Sequence, residues 1–203
     1  FATAALSQPV SIGVKIGAPL SDAFNIATGS TTYTDNTHRY VVGPSLELRL
    51  PVHFSVEADA LYKSFEYQSI SNIGDTIFHS STSSGSWEFP ILLKYRILPD
   101  LPLIRPYLEA GPSFSRLSGV KNLFSCTGSL CGGAASGSTT PSELNHNSNY
   151  GLTFGAGIDF HVILLHIAPE VRYTRWGFEN FSSVGGLLSS NQNQAEFLVG
   201  ISF

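Results

Sequence analysis

The chain has 203 residues and a formal net charge of −4, with 13 % charged and 12 % aromatic residues. Soluble domains carry about twice this charged fraction, and the negative balance argues against a nucleic-acid partner. No apolar run approaches the roughly 18 residues that a transmembrane helix requires. A chain of this composition that spans a membrane must therefore cross it as a closed barrel of β-strands.

The beginning of the chain predicts export. The sequence contains no methionine, and residues 1–5 resemble the small-residue end of a secretory signal, so we expect a cleaved leader. Residues 1–9 are predicted to be an irregular lead-in, and residues 10–203 a single barrel domain. An oxidising compartment also permits a disulfide between Cys126 and Cys131, which we predict because no histidine or acidic cluster beside them indicates a metal site.

Alternation of apolar and polar residues with a period of two predicts β-strands. Eight segments show it, each about ten residues long, which suits a tilted crossing of a bilayer. They cover 10–18, 39–50, 54–63, 87–97, 106–115, 151–161, 165–174 and 194–203. Polar segments at 21–38, 68–85, 116–149 and 177–193 are predicted to be loops, and 51–53, 99–102 and 162–164 short turns. The alternation is expected to slip at Arg175 and Trp176, at a bulge or at the lipid boundary.

The last segment has a pattern that resembles a known family. Residues 194–203 alternate apolar with mostly small or polar side chains and stop at Phe203, which resembles the closing strand of bacterial outer-membrane β-barrels. The strings PYLEAGP at 106–112 and PEVRY at 169–173 resemble strand motifs of that class. From about residue 10 to 203 the chain resembles the small eight-stranded outer-membrane barrel family typified by the OmpA membrane domain and OmpX. The resemblance implies an all-β, eight-stranded antiparallel up-and-down transmembrane β-barrel in a Gram-negative-type outer membrane, with its loops extracellular.

The charges of the predicted strands share one face. A charge that faces lipid near the midplane costs about 2–4 kcal/mol, so we interpret this face as the barrel interior. Eight strands enclose a lumen that side chains can fill, and charges there are stable when they are paired. A water-soluble barrel with its faces reversed is disfavoured, since its interior would have to hold the large apolar side chains of every strand. The predicted lumen charge network comprises Lys15, Glu47, Arg49, Glu57, Asp59, Lys63, Glu88, Lys94, Arg96, Glu109, Asp159, Glu170, Arg172 and Glu196.

Aromatic residues cluster toward both ends of the predicted strands. Such rings are expected where the hydrocarbon of a bilayer meets its headgroups. The alternative is that they reflect only the high β-propensity of aromatic residues. The predicted girdles are Phe54, Tyr95, Phe160 and Phe203 at the short-turn end, and Tyr40, Tyr62, Trp87, Phe114 and Tyr173 at the long-loop end.

The sequence favours a non-enzymatic protein. We expect no cofactor and no metal, since the histidines are scattered without ligand spacing. Long loops predict a structural or binding role toward an outside partner or other copies of the chain, with the wall against outer-membrane lipid and lipopolysaccharide. One alternative is a hydrolase, because His146 and Ser148 resemble the His-x-Ser-Asn segment of lipid A deacylases, although Asp159 is the nearest downstream carboxylate and lies on the same strand. A narrow conduit for small solutes is the third hypothesis.

Overall fold

The computed structural model describes residues 10–27, 31–35, 37–97, 104–132, 135–139, 141, 143–162, 165–183 and 187–203. The predicted lead-in at 1–9, the turn at 99–102 and residues 163–164 of the next predicted turn lie outside this part of the chain. Within it, no helix is long and apolar enough to cross a membrane.

The described residues are organised as β-strands, with one 3₁₀ turn at Ser129–Cys131. Every pairing between strands is antiparallel. In chain order the strands are β1 Val10–Pro19, β2 Phe24–Ile26, β3 Thr31–Asp35, β4 Val41–Arg49, β5 Phe54–Asp59, β6 Leu61–Ile73, β7 Thr76–Arg96, β8 Ile104–Thr127, β9 Ala135–Thr139, β10 Ser148–Val162, β11 Leu165–Trp176, β12 Leu188–Ser190 and β13 Asn193–Ser202.

Eight of these strand positions close into a ring. β5 and β6 together form one of them, because both pair with β4 on one side and with β7 on the other. The order around the ring is β1, β4, β5 with β6, β7, β8, β10, β11 and β13, and β13 pairs again with β1. The predicted all-β, eight-stranded antiparallel up-and-down architecture is confirmed.

Two of the predicted loops are largely strand. β6, β7 and β8 continue past the ring and pair with β3 and β9, giving a five-stranded sheet in the order β3, β6, β7, β8, β9. We call residues 31–35, 64–73, 76–85, 118–127 and 135–139 the projecting sheet. The prediction of loop over 68–85 and 116–149 is therefore wrong for most of both segments. Their Ser- and Thr-rich strands face solvent on both sides near the tip, so no apolar alternation marks them.

The other two predicted loops also contain strand. The segment 21–38 includes β2 and β3, and the segment 177–193 includes β12. β2 and β12 pair with each other at the long-loop end of the ring. The expected slip in alternation at residues 175–176 is also wrong, since Arg175 is exposed and Trp176 is 5 % exposed, as alternation requires.

Apolar side chains from several connections meet at the long-loop end and form what we call the loop cluster. Edge-to-face aromatic contacts organise it, with ring centroids 5.2 Å apart for Phe24 and Tyr67 and 5.9 Å apart for Tyr67 and Phe181. The alternation pattern did not predict this cluster, because its members are isolated aromatic and aliphatic residues inside polar segments. The buried members are Phe24, Tyr67, Leu117, Phe181 and Leu188, and Ala23, Tyr33, Phe65, Val120 and Leu144 pack against them.

Candidate functional site

The interior of the ring is filled by ionic side chains. All fourteen residues of the predicted lumen charge network point inward: twelve are buried, and Glu47 and Arg49 are half-buried. Two glycines of β10 make room for them. A Cβ at Gly155 would lie 2.5 Å from Oε1 of Glu109, and one at Gly157 would lie 2.5 Å from the ring of Tyr107.

Arg172 occupies the middle of the lumen and contacts four carboxylates. Its Nη1 donates to Oδ2 of Asp59 at 2.7 Å, and its Nη2 donates to Oε1 of Glu57 at 2.6 Å. Its Nε donates to Oε1 of Glu109 at 2.7 Å and lies 2.9 Å from Oε1 of Glu170. A guanidinium supplies five donors in a planar fork, so it can bind carboxylates from several strands at once.

Two lysines complete this central group. Nζ of Lys15 donates to Oε1 of Glu170 at 2.8 Å and also binds Glu57. Nζ of Lys94 donates to Oε2 of Glu57 at 2.6 Å and lies 4.2 Å from the centroid of the Tyr107 ring. The Tyr107 hydroxyl in turn donates to Oε2 of Glu170 at 2.6 Å. The predicted network omits Tyr107, although the alternation of β8 places it on the inward face.

Smaller ionic groups lie on either side of the central one. Toward the long-loop end, Nζ of Lys63 lies 2.6 Å from Oε1 of Glu88 and also binds Glu196. Ionic pairs therefore follow one another along the lumen axis.

Toward the short-turn end, Arg96 binds Glu47 and lies 3.9 Å from Oδ2 of Asp159. Nδ1 of His166 lies 3.1 Å from Oδ1 of Asp159, and Nε of Arg49 lies 3.9 Å from Oε1 of Glu47. The predicted network omits His166, although alternation along β11 places it on the inward face; its role depends on contact with Asp159 of the neighbouring strand β10.

Three central carboxylates, Glu57, Glu109 and Glu170, approach one another closely enough to share a cation. Each of them already binds Arg172, and two bind Lys15. These internal cations neutralise the carboxylates, so the arrangement suits ion pairing rather than metal binding.

The outer wall of the ring is apolar and carries the predicted girdle residues. At the short-turn end Phe54 and Tyr95 pack with ring centroids 5.0 Å apart, and Phe160 is half-buried and Phe203 exposed. At the long-loop end the residues lie side by side on adjacent strands, and the Tyr62 ring is 5.3 Å from that of Trp87 and 6.3 Å from that of Tyr40. Phe114 and Tyr173 are 50 % and 42 % exposed on the same wall.

An apolar exterior around an ionic interior is the reverse of a soluble barrel, and comparison with known proteins agrees with it. A family model described as "outer membrane protein beta-barrel domain" matches residues 5–183. The chain belongs to this family. It is therefore an outer-membrane protein.

Solved structures of outer-membrane barrels match the chain at low identity, and the likeness to OprG shows the shared fold. OprG from Pseudomonas aeruginosa is 14 % identical with a TM-score of 0.54, over 95 % of this chain and 92 % of OprG. The N-terminal β-barrel domain of OprF from the same organism is 13 % identical with a TM-score of 0.39, over 97 % and 98 %. Ail from Yersinia pestis, in complex with the heparin analogue sucrose octasulfate, is 12 % identical with a TM-score of 0.41, over 96 % and 99 %. No curated protein matches the chain.

The filled lumen leads to a prediction about conductance. We expect the purified chain in planar lipid bilayers to show no steady channel current, because Arg172 of β11 binds Asp59 and Glu57 of β5 on the opposite side of the ring and so crosses the interior. A wide, stable conductance that scales with the amount of protein would contradict this expectation and favour the conduit hypothesis. A porin reconstituted in the same bilayers serves as the positive control.

The tip of the projecting sheet is held by a small clasp. Cys126 and Cys131 form a disulfide with their Cα atoms 6.0 Å apart. The Ser129 hydroxyl donates to Oδ1 of Asp75 at 2.7 Å, which holds the pKa of that carboxyl below its usual range. The amide of Leu130 donates to Oγ1 of Thr76 at 3.2 Å. The clasp thus ties the β6–β7 turn to the segment after β8.

Removing the disulfide should loosen this tip alone. In the chain-entropy description, a loop as short as 126–131 contributes about 2 kcal/mol. We expect the double variant Cys126→Ser/Cys131→Ser to exchange amide hydrogens faster over 126–132, as measured by mass spectrometry. The ring strands should keep their protection, and loss of protection in β10 and β11 would show that the disulfide supports the whole barrel.

The two residues of the hydrolase hypothesis lie on the surface. His146 and Ser148 are both exposed. The His146 ring packs against Phe178 with ring centroids 5.5 Å apart. The backbone carbonyl of His146 accepts a hydrogen bond from the side-chain amide of Asn180 at 2.8 Å. Asp159 faces the lumen near the opposite end of β10, where it contacts His166. The structure therefore does not bring these three residues together as a base, a nucleophile and a carboxylate.

Proposed function

We propose that this outer-membrane barrel is a structural or binding protein that acts through its long-loop end, which faces the outside of the cell. In this proposal the ring is an anchor, its lumen charge network serves stability, and the projecting sheet with the loop cluster contacts a partner. The wall sits among phospholipid and lipopolysaccharide. The observation that supports the proposal most is the length and order of the structure beyond the membrane.

Strand lengths define how far the chain projects. β7 has 21 residues and β8 has 24, whereas a tilted strand crosses a bilayer with about 9–11. About ten residues of β7 and about thirteen of β8 therefore exceed one crossing and lie beyond the outer interface, which is at least about 33 Å along the strand. A membrane anchor alone does not require this extension.

Specific contacts order the projecting part. Tyr67 and Phe181 are each 2 % exposed in the loop cluster. The hydroxyls of Thr31 and Ser71 hydrogen-bond at 2.7 Å between β3 and β6. Rigid elements hold a binding surface in place at a lower entropic cost than mobile loops, so this order favours a recognition role.

The projecting sheet also exposes apolar side chains away from lipid. On one face of the sheet Leu123 and Ile77 are 62 % and 48 % exposed, and on the other face Ile73 is 58 % exposed. Leu130, in the turn after β8, is 66 % exposed. Apolar side chains exposed on a rigid surface are typical of protein interaction sites. The same region is poor in charge, which suits a protein partner better than a polyanion.

Site-specific photo-crosslinking on intact cells tests the proposal. A photoreactive amino acid at Leu123 should give a defined protein adduct, because this side chain points away from the ring into the outside space. The same group at Phe154, on the lipid-facing wall of β10, is the matched control and should give only lipid adducts. A Leu123 variant that reaches the surface and yields no protein adduct would refute the proposal.

A further inference from the structure

The projecting sheet ends in a strand with one unpaired edge. β9, Ala135–Thr139, pairs with β8 over Asn122 to Cys126. Among the described residues no strand pairs with its other side, and β9 is the last strand in the order of the sheet. Its outer edge therefore presents backbone N–H and C=O groups that another strand can bind.

This edge lacks the usual protection against pairing. Natural edge strands are blocked by charged side chains, proline or a bulge, whereas β9 reads Ala-Ser-Gly-Ser-Thr and pairs with β8 without a register shift. Ser136 and Ser138 are exposed, and the neighbouring Leu123 on the same face is 62 % exposed. An added strand would complete the backbone pairing of β9.

The geometry points to a second copy of this chain on a facing membrane as the added strand. Two strands that pair through the same edge are antiparallel, and they are related by a twofold axis perpendicular to the sheet. This rotation turns the second barrel upside down. Barrels of one membrane all point the same way, so β9 can pair with β9 only across the gap between two membranes.

Pairing within one membrane fits the sheet poorly. It would have to join β9 to the edge strand β3 of a neighbour, because both strands run toward the membrane. Joined in this way, β3 of one copy and β3 of the next are five strand spacings, or about 24 Å, apart across the sheet. With a tilt of about 40° and both barrels at the same height, the paired edges are displaced by about 20 Å along the strand, which exceeds the length of about 16 Å of a five-residue strand. The two edges would therefore not overlap.

The facing copy also has room. Phe124 of β8 lies opposite Gly137, the centre of β9. The tip of the molecule, in the 3₁₀ turn that starts at Ser129, is five residues further along the chain. The girdle residue Phe114 lies ten residues below Phe124. The tip of an inverted partner would therefore end about five residues, or about 16 Å along the strand, above the lipid.

We propose that this protein joins two outer membranes by antiparallel pairing of β9 with β9 from a second copy. The inference rests on the proposed function, since it requires the projecting sheet to be outside the cell. With the pair centred on Gly137, each Ser136 lies opposite Ser138 of the other copy. This reciprocal arrangement makes the contact testable by charge.

The experiment uses the full chain in phosphatidylcholine vesicles at low salt, with aggregation followed by light scattering. Vesicles with the unmodified chain should aggregate. The variant Ser136→Lys/Ser138→Lys should lower the aggregation rate by about tenfold or more, because like charges then face each other across the pair. Mixing these vesicles with vesicles carrying Ser136→Glu/Ser138→Glu should restore aggregation, while neither population aggregates alone.

A matched control places the same charges on the other edge of the sheet. Thr32 and Thr34 are exposed on β3, and Thr32→Lys/Thr34→Lys should leave aggregation unchanged. Absence of aggregation with the unmodified chain, equal aggregation of the β9 variant, or loss confined to the β3 variant would each overturn the inference. If Leu123 still cross-links to a different protein on cells, the proposed function stands and only the β9 pairing fails.

Discussion

Replacing Arg172 by alanine should lower the free energy of unfolding by about 3–5 kcal/mol, the cost of removing one partner from a buried ionic group. The guanidinium contacts Glu57, Asp59, Glu109 and Glu170 at distances of 2.6 to 2.9 Å. Without it these four carboxylates share two lysines in a space that is closed to bulk water. Equilibrium urea unfolding in lipid vesicles, followed by tryptophan fluorescence, measures the change.

The control for this variant is an ion pair with the same chemistry at the surface. Arg39 binds Asp22 beyond the ring, where their side chains are 59 % and 64 % exposed. Arg39→Ala should cost no more than about 1 kcal/mol, as exposed pairs do. Equal losses for the two variants would show that the lumen network is hydrated and contributes no more than surface charges do.

A charge introduced on the outer side of the barrel wall should lower the free energy of unfolding almost as much as the loss of Arg172. Ala156 lies outward near the middle of β10, opposite Val171 on one neighbour and Leu108 on the other. Ala156→Arg should destabilise the barrel by about 2–4 kcal/mol, because the guanidinium would lie near the bilayer midplane. The same urea titration in vesicles reads the effect.

A second arginine variant on β10 separates the effect of depth in the bilayer from the effect of the charge itself. Ser148 lies on the same face of β10, at the end nearer the long loops and opposite Arg116. Ser148→Arg should cost only about 0–1 kcal/mol, since the charge reaches the interface. If the two variants lost equal stability, the predicted position of the membrane along β10 would be wrong.

Strand alternation made the ring and its interior accessible to sequence reasoning. Glu170 can be assigned to the inward face because Pro169 and Val171, on either side of it in the strand, belong to the apolar outward face. The even number of strands follows from the spacing of long and short connections. Alternation could not predict which inward side chains pair with each other. Contacts such as that between Tyr107 and Glu170 depend on the register between strands that are distant in sequence.

The projecting structure could not be predicted by the same reasoning. Ser80 lies between Ser69 and Phe124 in the projecting sheet, and neither side of the sheet tip is buried enough to select apolar residues there. Phe24 and Phe181 look like isolated residues in polar segments, and only tertiary packing brings them together. The predicted slip at Trp176 came from the assumption that inward positions are polar. Trp176 instead places a large apolar ring at an inward position, at the long-loop end of the lumen.

The seam between β1 and β13 has a consequence for how the molecule is made. Lys15 of β1 lies opposite Gly200 of β13, so most of the polypeptide lies between these two neighbours. Every other contact in the ring joins strands that are much closer in sequence, and such contacts form early because they restrict the chain least. Closure must therefore be the late and slow event of folding. Until then β1 and β13 are open edges, and the unclosed sheet is the species that requires chaperones or insertion machinery to keep it from aggregating.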